Sequence, residues 1–540
     1  MALLVIQSGA NLQLVDENGV VSAPLTIPAG ITLRTDVPPR WAVYNDYVIL
    51  VDTPSEPLTI DHNGIVRVLS PKAPRLAPIL SAVAGGTLSG TYGGVRYTFV
   101  TFDAVGNVIS ESDYSPPSNT VSLTNQFLRA SGLDISPNAI SARRLYRPTS
   151  GGAVLFQWVT LDGNVLTSVQ DDLSDAGLSI VASPILGTPP HLTTIAEFRG
   201  RLFGGSDTDL DHLHYTEAGF QYAWPSDNIL VIPPVGADDF GIVALIPRRE
   251  ALGVGRRNTL LQVTGTGAED SGGIPDFDVV ILSKELGVES QESVCVFRDT
   301  AYFLWEDGVY AWNSNGITCV SDGTAAGIGN VRSWFDTNNY FNRDQFPIAF
   351  AHIDQSYPLY RLFLCSAGSN VIDSWVEYNL EDGTWFGPHS TQLFTPTSAF
   401  HRTNTANRYI PVIGSVDTLY NDQPTRTDGL STPITFDIIG KGHDLGEPDM
   451  DKYFGELSII GKAQPSAGII IPTMQVISNV GEISDTTELI QNWDMTKNRQ
   501  RLGRPGAGKT MQLEFKNDQV GVDATIYGYE INPVNILGRR

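Results

Sequence analysis

The sequence predicts an all-β protein: a β-propeller interrupted by a small β-sandwich and followed by a further β unit. Two observations carry the prediction. The first is a near-repeat 45 residues apart, in which Leu14-Val15-Asp16-Glu17-Asn18-Gly19-Val20-Val21 is answered by Thr59-Ile60-Asp61-His62-Asn63-Gly64-Ile65-Val66. Each copy is an apolar strand, an Asp-x-Asn-Gly turn and a second apolar strand. Asn-Gly is the strongest short hairpin signal, because both central residues of a type I′ turn need positive φ. The spacing is about that of one four-stranded propeller blade. The second observation is composition: 52 Gly and 33 Pro beside an ordinary 41% of apolar residues suit a turn-rich β protein. Two ordinary hairpins in some other β fold is the alternative.

Residues 1–74 read as the first part of the propeller, short strands broken by Pro38-Pro39, Pro54 and Pro57. Residues 75–183 change character. Arg96–Phe102 alternates at period two and turns at Asp103-Ala104-Val105-Gly106-Asn107; Ser115-Pro116-Pro117-Ser118, Arg143–Arg147 and Leu155–Val159 come next. Strands of this length with turns every 8–12 residues predict a sandwich of about 100 residues. The run from Tyr97 to Ser118 resembles fibronectin type III modules, which carry an aromatic-x-aromatic strand, a Gly-Asn turn and a Ser-Pro-Ser segment.

Residues 184–440 resume the propeller with Phe198–Gly205, His214–Glu217 and Gln221–Pro225. Looser copies of the hairpin lie at Trp305–Tyr310, Asn315–Ile317 and Leu380–Trp385. One helix is expected between Gly329 and Tyr340, where Val331, Trp334 and Phe335 fall at helical spacing. Residues 441–540 read as a C-terminal β unit, or as the closure of the propeller, with strands at Leu457–Ile460, Met474–Ile477 and Met511–Phe515.

Composition excludes several functions. No run of 18 apolar residues occurs, so no membrane-spanning segment is expected. The start, Met-Ala-Leu-Leu-Val-Ile-Gln, has neither the basic region nor the apolar length of a signal peptide. Cys295, Cys319 and Cys365 lie in apolar runs without CxxC spacing, which predicts buried, reduced thiols made in a reducing cytoplasm. The net charge of −24 argues against gripping nucleic acid, which needs many phosphate-neutralising cations. An acidic body can still guide DNA by repelling it. The pairs Arg143-Arg144, Arg248-Arg249, Arg256-Arg257 and Arg539-Arg540 are scattered, and solvated or intersubunit ion pairs are expected of them.

No catalytic, cofactor-binding or metal-binding residue is expected. Gly503-Arg504-Pro505-Gly506-Ala507-Gly508-Lys509-Thr510 matches the Walker A pattern, which needs a buried strand before the loop and a helix after it. Here the preceding residues are polar, and Met511–Lys516 alternates like a half-buried strand. Asp207-x-Asp209-x-Asp211 starts like a calcium loop but has His212 and Ala218 where Gly and Glu belong. His212 and His214, with Asp211, would make at most a weak transition-metal site beside a solvated turn. Asp382-Gly383-Thr384-Trp385 has the letters of a sialidase Asp box without its spacing. No nucleophile elbow and no distinguished acid pair is present.

The motifs taken in order are similar to the tail hub or nozzle proteins of short-tailed bacteriophages, also called packaged-DNA stabilisation proteins. They are Ser141–Arg147; Gly200–Phe203 leading to Tyr215–Gly219 and Trp224-Pro225; Gly287-x-x-Ser290-x-x-Ser293-Val294; Phe303–Tyr310; Gly442–Pro448 before Asp451–Tyr453; Arg501–Gly506; and Gly538–Arg540. The series spans nearly the whole chain, departing in the Ala-Gly-Lys-Thr insertion after Gly506. The resemblance implies a non-enzymatic virion protein, made in the host bacterial cytoplasm and built into the viral tail as a homo-oligomeric ring, usually a hexamer. Such rings retain packaged DNA and form the conduit for its ejection. They dock the portal adaptor (head-tail connector) and the tail spikes or fibres, and genomic DNA passes the lumen without specific binding. Two other classes stay open: a carbohydrate-processing propeller, supported by nine Trp and nineteen Tyr, and a host-surface adhesin that binds a glycan.

Overall fold

The two Asp-x-Asn-Gly segments fold into loops with the same hydrogen-bond pattern, each organised by its aspartate. In the computed structural model, Asp16 Oδ1 accepts the N–H groups of Asn18 (2.9 Å) and Val20 (2.8 Å). Asp61 Oδ1 accepts those of Asn63 and Ile65, both at 2.9 Å. Gly19 and Gly64 take φ of 83° and 77° and donate back to the aspartate carbonyl. Only the glycine is left-handed, so these are three-residue loops ending in a bulge glycine, not the type I′ turns expected. The carboxylate satisfies two loop amides, and asparagine is not forced to positive φ. Asp103 builds the same loop in the sandwich, accepting from Val105 and Asn107 at 2.8 Å, with Gly106 at 96°.

The structure describes residues 4–35, 38–51, 56–103, 105–138, 140–178, 187–233, 240–269, 274–323, 330–354, 358–390, 395–403, 409–415 and 418–421, and in 423–540 the strands named below. The fold is all-β. Five antiparallel sheets have four strands each, paired in sequence order. Sheet I holds Arg40–Tyr44, Tyr47–Val51, Leu58–Ile60 and Val66–Val68; sheet II holds Leu192–Phe198, Arg201–Ser206, His212–Tyr215 and Ile229–Val231. Sheet III holds Ala244–Pro247, Leu252–Gly255, Leu260–Thr264 and Asp278–Ser283; sheet IV holds Cys295–Phe297, Thr300–Trp305, Gly308–Asn313 and Gly316–Cys319. Sheet V holds Phe350–Asp354, Leu359–Leu364, Ser374–Asn379 and Trp385–Ser390. Sheet VI has three strands, Pro396–Thr403, Tyr409–Ser415 and Leu419–Asn421. An N-terminal hairpin pairs Leu4–Ser8 with Asn11–Val15.

The first strands of sheets I to VI neighbour one another in succession. Apolar layers fill each seam: Phe203, Val254 and Leu261 between sheets II and III, Ile246, Phe303 and Trp312 between III and IV, and Leu304, Tyr360 and Leu362 between IV and V. Arg402 of sheet VI donates to the Glu17 carbonyl (2.7 Å) beside the N-terminal hairpin. That hairpin buries Leu12 against Leu50, Leu58 and Ile60 of sheet I. The contacts therefore close into a circuit.

Two-residue turns clasp consecutive sheets. Asn45-Asp46, Arg199-Gly200 and Arg298-Asp299 each place both residues at positive φ, between 46° and 71°, the type I′ geometry that matches strand twist. Tyr44 Oη donates to the Gly200 carbonyl at 2.5 Å, Arg199 Nη2 to Glu250 at 3.0 Å, and Arg248 Nη2 to Asp299 at 2.9 Å. Sheets I to IV are thus linked turn to turn.

Between sheets I and II lies the sandwich. One layer holds Ser168–Asp171, Val121–Ser131 and Ile79–Tyr92; the other holds Leu155–Asp162, Ala142–Pro148, Arg96–Phe102 and Val108–Glu111. Tyr97, Phe99, Leu128, Leu145 and Trp158 pack between them. The proline-rich segment runs beside Arg96–Phe102 through a serine ladder. Ser112, Ser115 and Ser118 accept the N–H groups of Phe99, Tyr97 and Val95 on Oγ (2.9, 3.1 and 3.0 Å), and each returns its own N–H to the same residue's carbonyl. Proline lacks an N–H, so serine at every third position does the pairing.

One expectation is corrected. In place of the helix expected between Gly329 and Tyr340, the described residues 330–340 hold one 3₁₀ turn, Arg332–Trp334. Val331 and Phe335 are buried and Trp334 half-buried, but Asp336-Thr337-Asn338-Asn339 favours local side-chain bonds over helix, and Asn338 accepts from the Arg343 N–H at 3.1 Å. The chain divides into two compact units, Met1–Asp422 and Gln423–Arg540, and in the second Phe436–Ile439 pairs with Met511–Asn517. Within that unit Met511–Asn517 also pairs with Thr473–Ser478, which pairs with Thr486–Leu489. Asp451–Gly461 pairs with Ile526–Gly538, Arg499–Gly503 and Gly506–Gly508.

Candidate functional site

Arg40 begins the first strand of sheet I, and Glu292 lies in the 3₁₀ turn Gln291–Ser293 that leads into the first strand of sheet IV. Their sheets stand three steps apart in the circuit, yet Arg40 Nη1 donates to Glu292 Oε1 at 2.6 Å. The bond spans the interior ringed by the first strands. Burial pushes the Glu292 carboxyl upward, with Arg40 acting against it, while 34% of its side chain still meets solvent. Neighbouring Gln291 exchanges two bonds with the Leu245 backbone (2.7 and 3.2 Å), and the Tyr360 hydroxyl donates to the Ser293 carbonyl at 2.8 Å. The centre at this level is a fixed polar brace.

One member of each described arginine pair turns inward. Arg143, Arg248 and Arg256 are buried, each followed by a more exposed partner. Arg256 Nη2 donates to Asp211 (2.7 Å) and to the carbonyls of Leu210 (3.0 Å) and Ile232 (2.7 Å), and Nη1 reaches Phe240 O at 3.3 Å. Arg248 stacks 4.4 Å from the Trp312 ring while gripping Asp299. Arg144 donates to Glu111, a buried carboxylate that also accepts from Thr98 and Tyr146. The inward members close this chain on itself and are not solvated as expected, whereas Arg249 and Arg257 keep the expected exposure. Arg539 and Arg540 lie outside the described residues.

The histidine cluster assembles around Asp209, not Asp211, which Arg256 holds. His212 Nδ1 lies 2.6 Å from Asp209 Oδ1, and His214 Nε2 lies 3.1 Å from Oδ2 without hydrogen-bond alignment. Burial keeps the His214 imidazole below its usual range, and the bond from His212 lowers Asp209. Both ring nitrogens face the same carboxylate, and among the described residues no group of three side chains is arranged to hold a metal ion.

Lys509 and Thr510 lie outside the described residues. The strand immediately after them, Met511–Asn517, is paired within its sheet. It offers no helix N-terminus to phosphate. Cys295, Cys319 and Cys365 are unpaired, and burial pushes the Cys295 thiol up to about 12 and that of Cys365 to about 11. They are poor nucleophiles.

Sheets V and VI enclose a layer that sequence patterns did not reveal. His352 is buried, its ring 6.0 Å from that of His401. Across the strands, His352 neighbours Arg361, which donates to Glu377 at 2.6 Å. Burial, with Arg361 and His401 beside it, pushes His352 down to about 3, and His389 and His401 are also lowered by burial.

No protein-family model matches this chain, and no curated protein matches it in sequence. Among solved structures it is similar to PorZ, a bacterial surface component of the type-IX secretion system of Porphyromonas gingivalis, at 11% identity and TM-score 0.27, covering 93% of this chain and 67% of that one. An exo-β-1,3-galactanase from Phanerochaete chrysosporium matches at 11% identity and TM-score 0.23, covering 66% and 97%. Saccharomyces cerevisiae Sqt1 matches at 7% identity and TM-score 0.21, covering 78% and 97%. Similarity at this level assigns no function.

Proposed function

We propose that this chain is a non-enzymatic structural protein of a short-tailed bacteriophage tail, a hub or nozzle subunit. Its copies form a ring that retains packaged DNA and passes it on ejection. The sheet circuit is read as a propeller, a rigid body whose loops dock the portal adaptor and the spikes or fibres.

The observation that carries the reading is the fate of the cations. Residues 1–422 hold 44 Asp and Glu against 23 Lys and Arg. Arg40, Arg144, Arg147, Arg201, Arg248, Arg256, Arg332 and Arg361 each sit on a carboxylate of the same chain. With carboxylates outnumbering cations nearly two to one and these eight cations held within the chain, a wall built from this unit repels a duplex and lets it slide. The Arg40–Glu292 brace bears on where DNA can pass. A duplex whose major groove alone is about 12 Å wide has no path through a braced interior, so the conduit belongs to the ring of copies.

Two measurements test the reading. Particles assembled without this chain should lose their packaged DNA, and the purified chain should not retain duplex DNA even at about 50 mM salt, where basic proteins bind strongly. Particles that keep their genome without the chain would contradict the proposal.

A further inference from the structure

Six aliphatic side chains stand in solvent at one end of the sandwich. Val105 is 87% exposed and Val165 82%, and Ile79, Leu166, Leu76 and Ile135 are each more than half exposed. They come from three loops and the entering segment, which hydrogen bonds tie into one surface. The Phe102 N–H donates to Ser141 Oγ (3.0 Å) and the Gly163 N–H to the Ser141 carbonyl (2.7 Å), joining the loops of Val105, Ile135 and Val165. The Asn164 side chain accepts from the Ser136 N–H (2.9 Å) and donates to its carbonyl (2.8 Å). The Leu133 N–H reaches Thr167 O at 3.1 Å, and the Arg75 N–H reaches Asp134 Oδ2 at 3.2 Å. Ile79 lies over Gly132.

Exposed aliphatics scattered singly are ordinary, but a cluster fixed on a rigid end marks an interaction surface. Its charges say what can cover it. Asp103, Asp134 and Asp162 belong to these loops, and the entering segment brings Arg75 and Lys72, the latter already paired with Glu56. A second copy brings the same acidic excess, and like charge at a rim opposes docking. We infer that this end of the sandwich is the docking face for a different protein, one whose contact surface is aliphatic at the centre and rimmed by lysine or arginine. The inference goes beyond the tail-ring reading by naming a face and a partner chemistry, and does not require the partner to be a spike or a fibre.

The test uses the full chain in the cells that naturally make it. A photo-crosslinking benzoylphenylalanine replaces Val165, and, as a control, Val154, which is exposed on the separate turn between Ala142–Pro148 and Leu155–Asp162. The face predicts an adduct from position 165 alone, to another protein, with the linked peptide rich in aliphatics and flanked by Lys or Arg. In a chain carrying the probe at Ile135, Val165→Asp with Leu166→Asp should cut that adduct at least tenfold and leave the melting temperature unchanged. Raising salt from 0.05 to 0.5 M should weaken it. An adduct to a second copy, no adduct at 165, or equal yield at 154 would overturn the inference. Absence of the chain from purified particles would instead overturn the tail reading, so the two failures are distinguishable.

Discussion

Arg40 and Glu292, 252 residues apart in sequence, meet at 2.6 Å across the interior of the sheet circuit. Each alone would be a charge in a confined space; together they brace sheet I to sheet IV. Burial raises the Glu292 carboxyl despite Arg40. A raised carboxyl binds its proton more tightly when folded, so its ionisation opposes folding as pH rises toward neutrality.

Replacing Arg40 by Met should therefore cost more stability at pH 7, where Glu292 is ionised and left alone, than at pH 4. The expected loss at pH 7 is about 1–2 kcal/mol, discounted for partial solvent access. Adding Glu292→Gln should recover most of it. Denaturant unfolding of the single and double variants at both pH values checks this.

Arg256 is a sterner case. It is buried and satisfies three backbone carbonyls besides Asp211. Arg256→Met should destabilise by about 3–5 kcal/mol. Arg256→Lys should not rescue, because an ammonium lacks the planar fork that serves several acceptors. Thermal melts of both variants give the answer.

The layer between sheets V and VI makes stability fall in acid. His352, His389 and His401 are lowered by burial, with Arg361, Glu377 and Asp354 as their charged neighbours. A histidine whose folded pKa lies below its unfolded value of about 6.5 stabilises above that pH and loses the contribution as pH falls. For His352 the loss runs from about 6.5 toward about 3. Hydrogen exchange at Phe350–Asp354 and Pro396–Thr403 should rise more steeply on acidification, relative to intrinsic rates, in the wild type than in His352→Asn.

Lys509→Ala should leave nucleotide binding unchanged, at none. The segment after the Walker-like sequence is the paired strand Met511–Asn517. Saturable ATP binding by isothermal titration, abolished by the substitution, would refute this.

Local patterns were readable where physics is local. The period-two run Arg96–Phe102 is a strand with those bounds, and the Asp-x-Asn-Gly segments are loops at the expected places. Their type was misjudged because Asn-Gly is usually read without the preceding Asp, whose carboxylate here does the work of a left-handed asparagine. Arg199 and Arg298 take positive φ that arginine does not favour. Arg199 is held there by the clasp to Glu250, a tertiary cause no window of sequence displays. The arginine pairs looked solvated because Arg-Arg reads as surface; which member turns inward depends on acceptors such as Leu210, Ile232 and Phe240 from other elements. The Arg40–Glu292 brace, with its partners so far apart, left no local signal at all.

The central claim, a ring of copies whose shared lumen is acidic, is tested most directly by a reconstruction of the tail that contains this chain. The account predicts a closed ring with a lumen wall lined mainly by Asp and Glu from residues 1–422, and with Arg40–Glu292 intact inside every copy. A monomer, a lumen lined mainly by arginine, or DNA threaded through the sheet circuit of a single chain would contradict it.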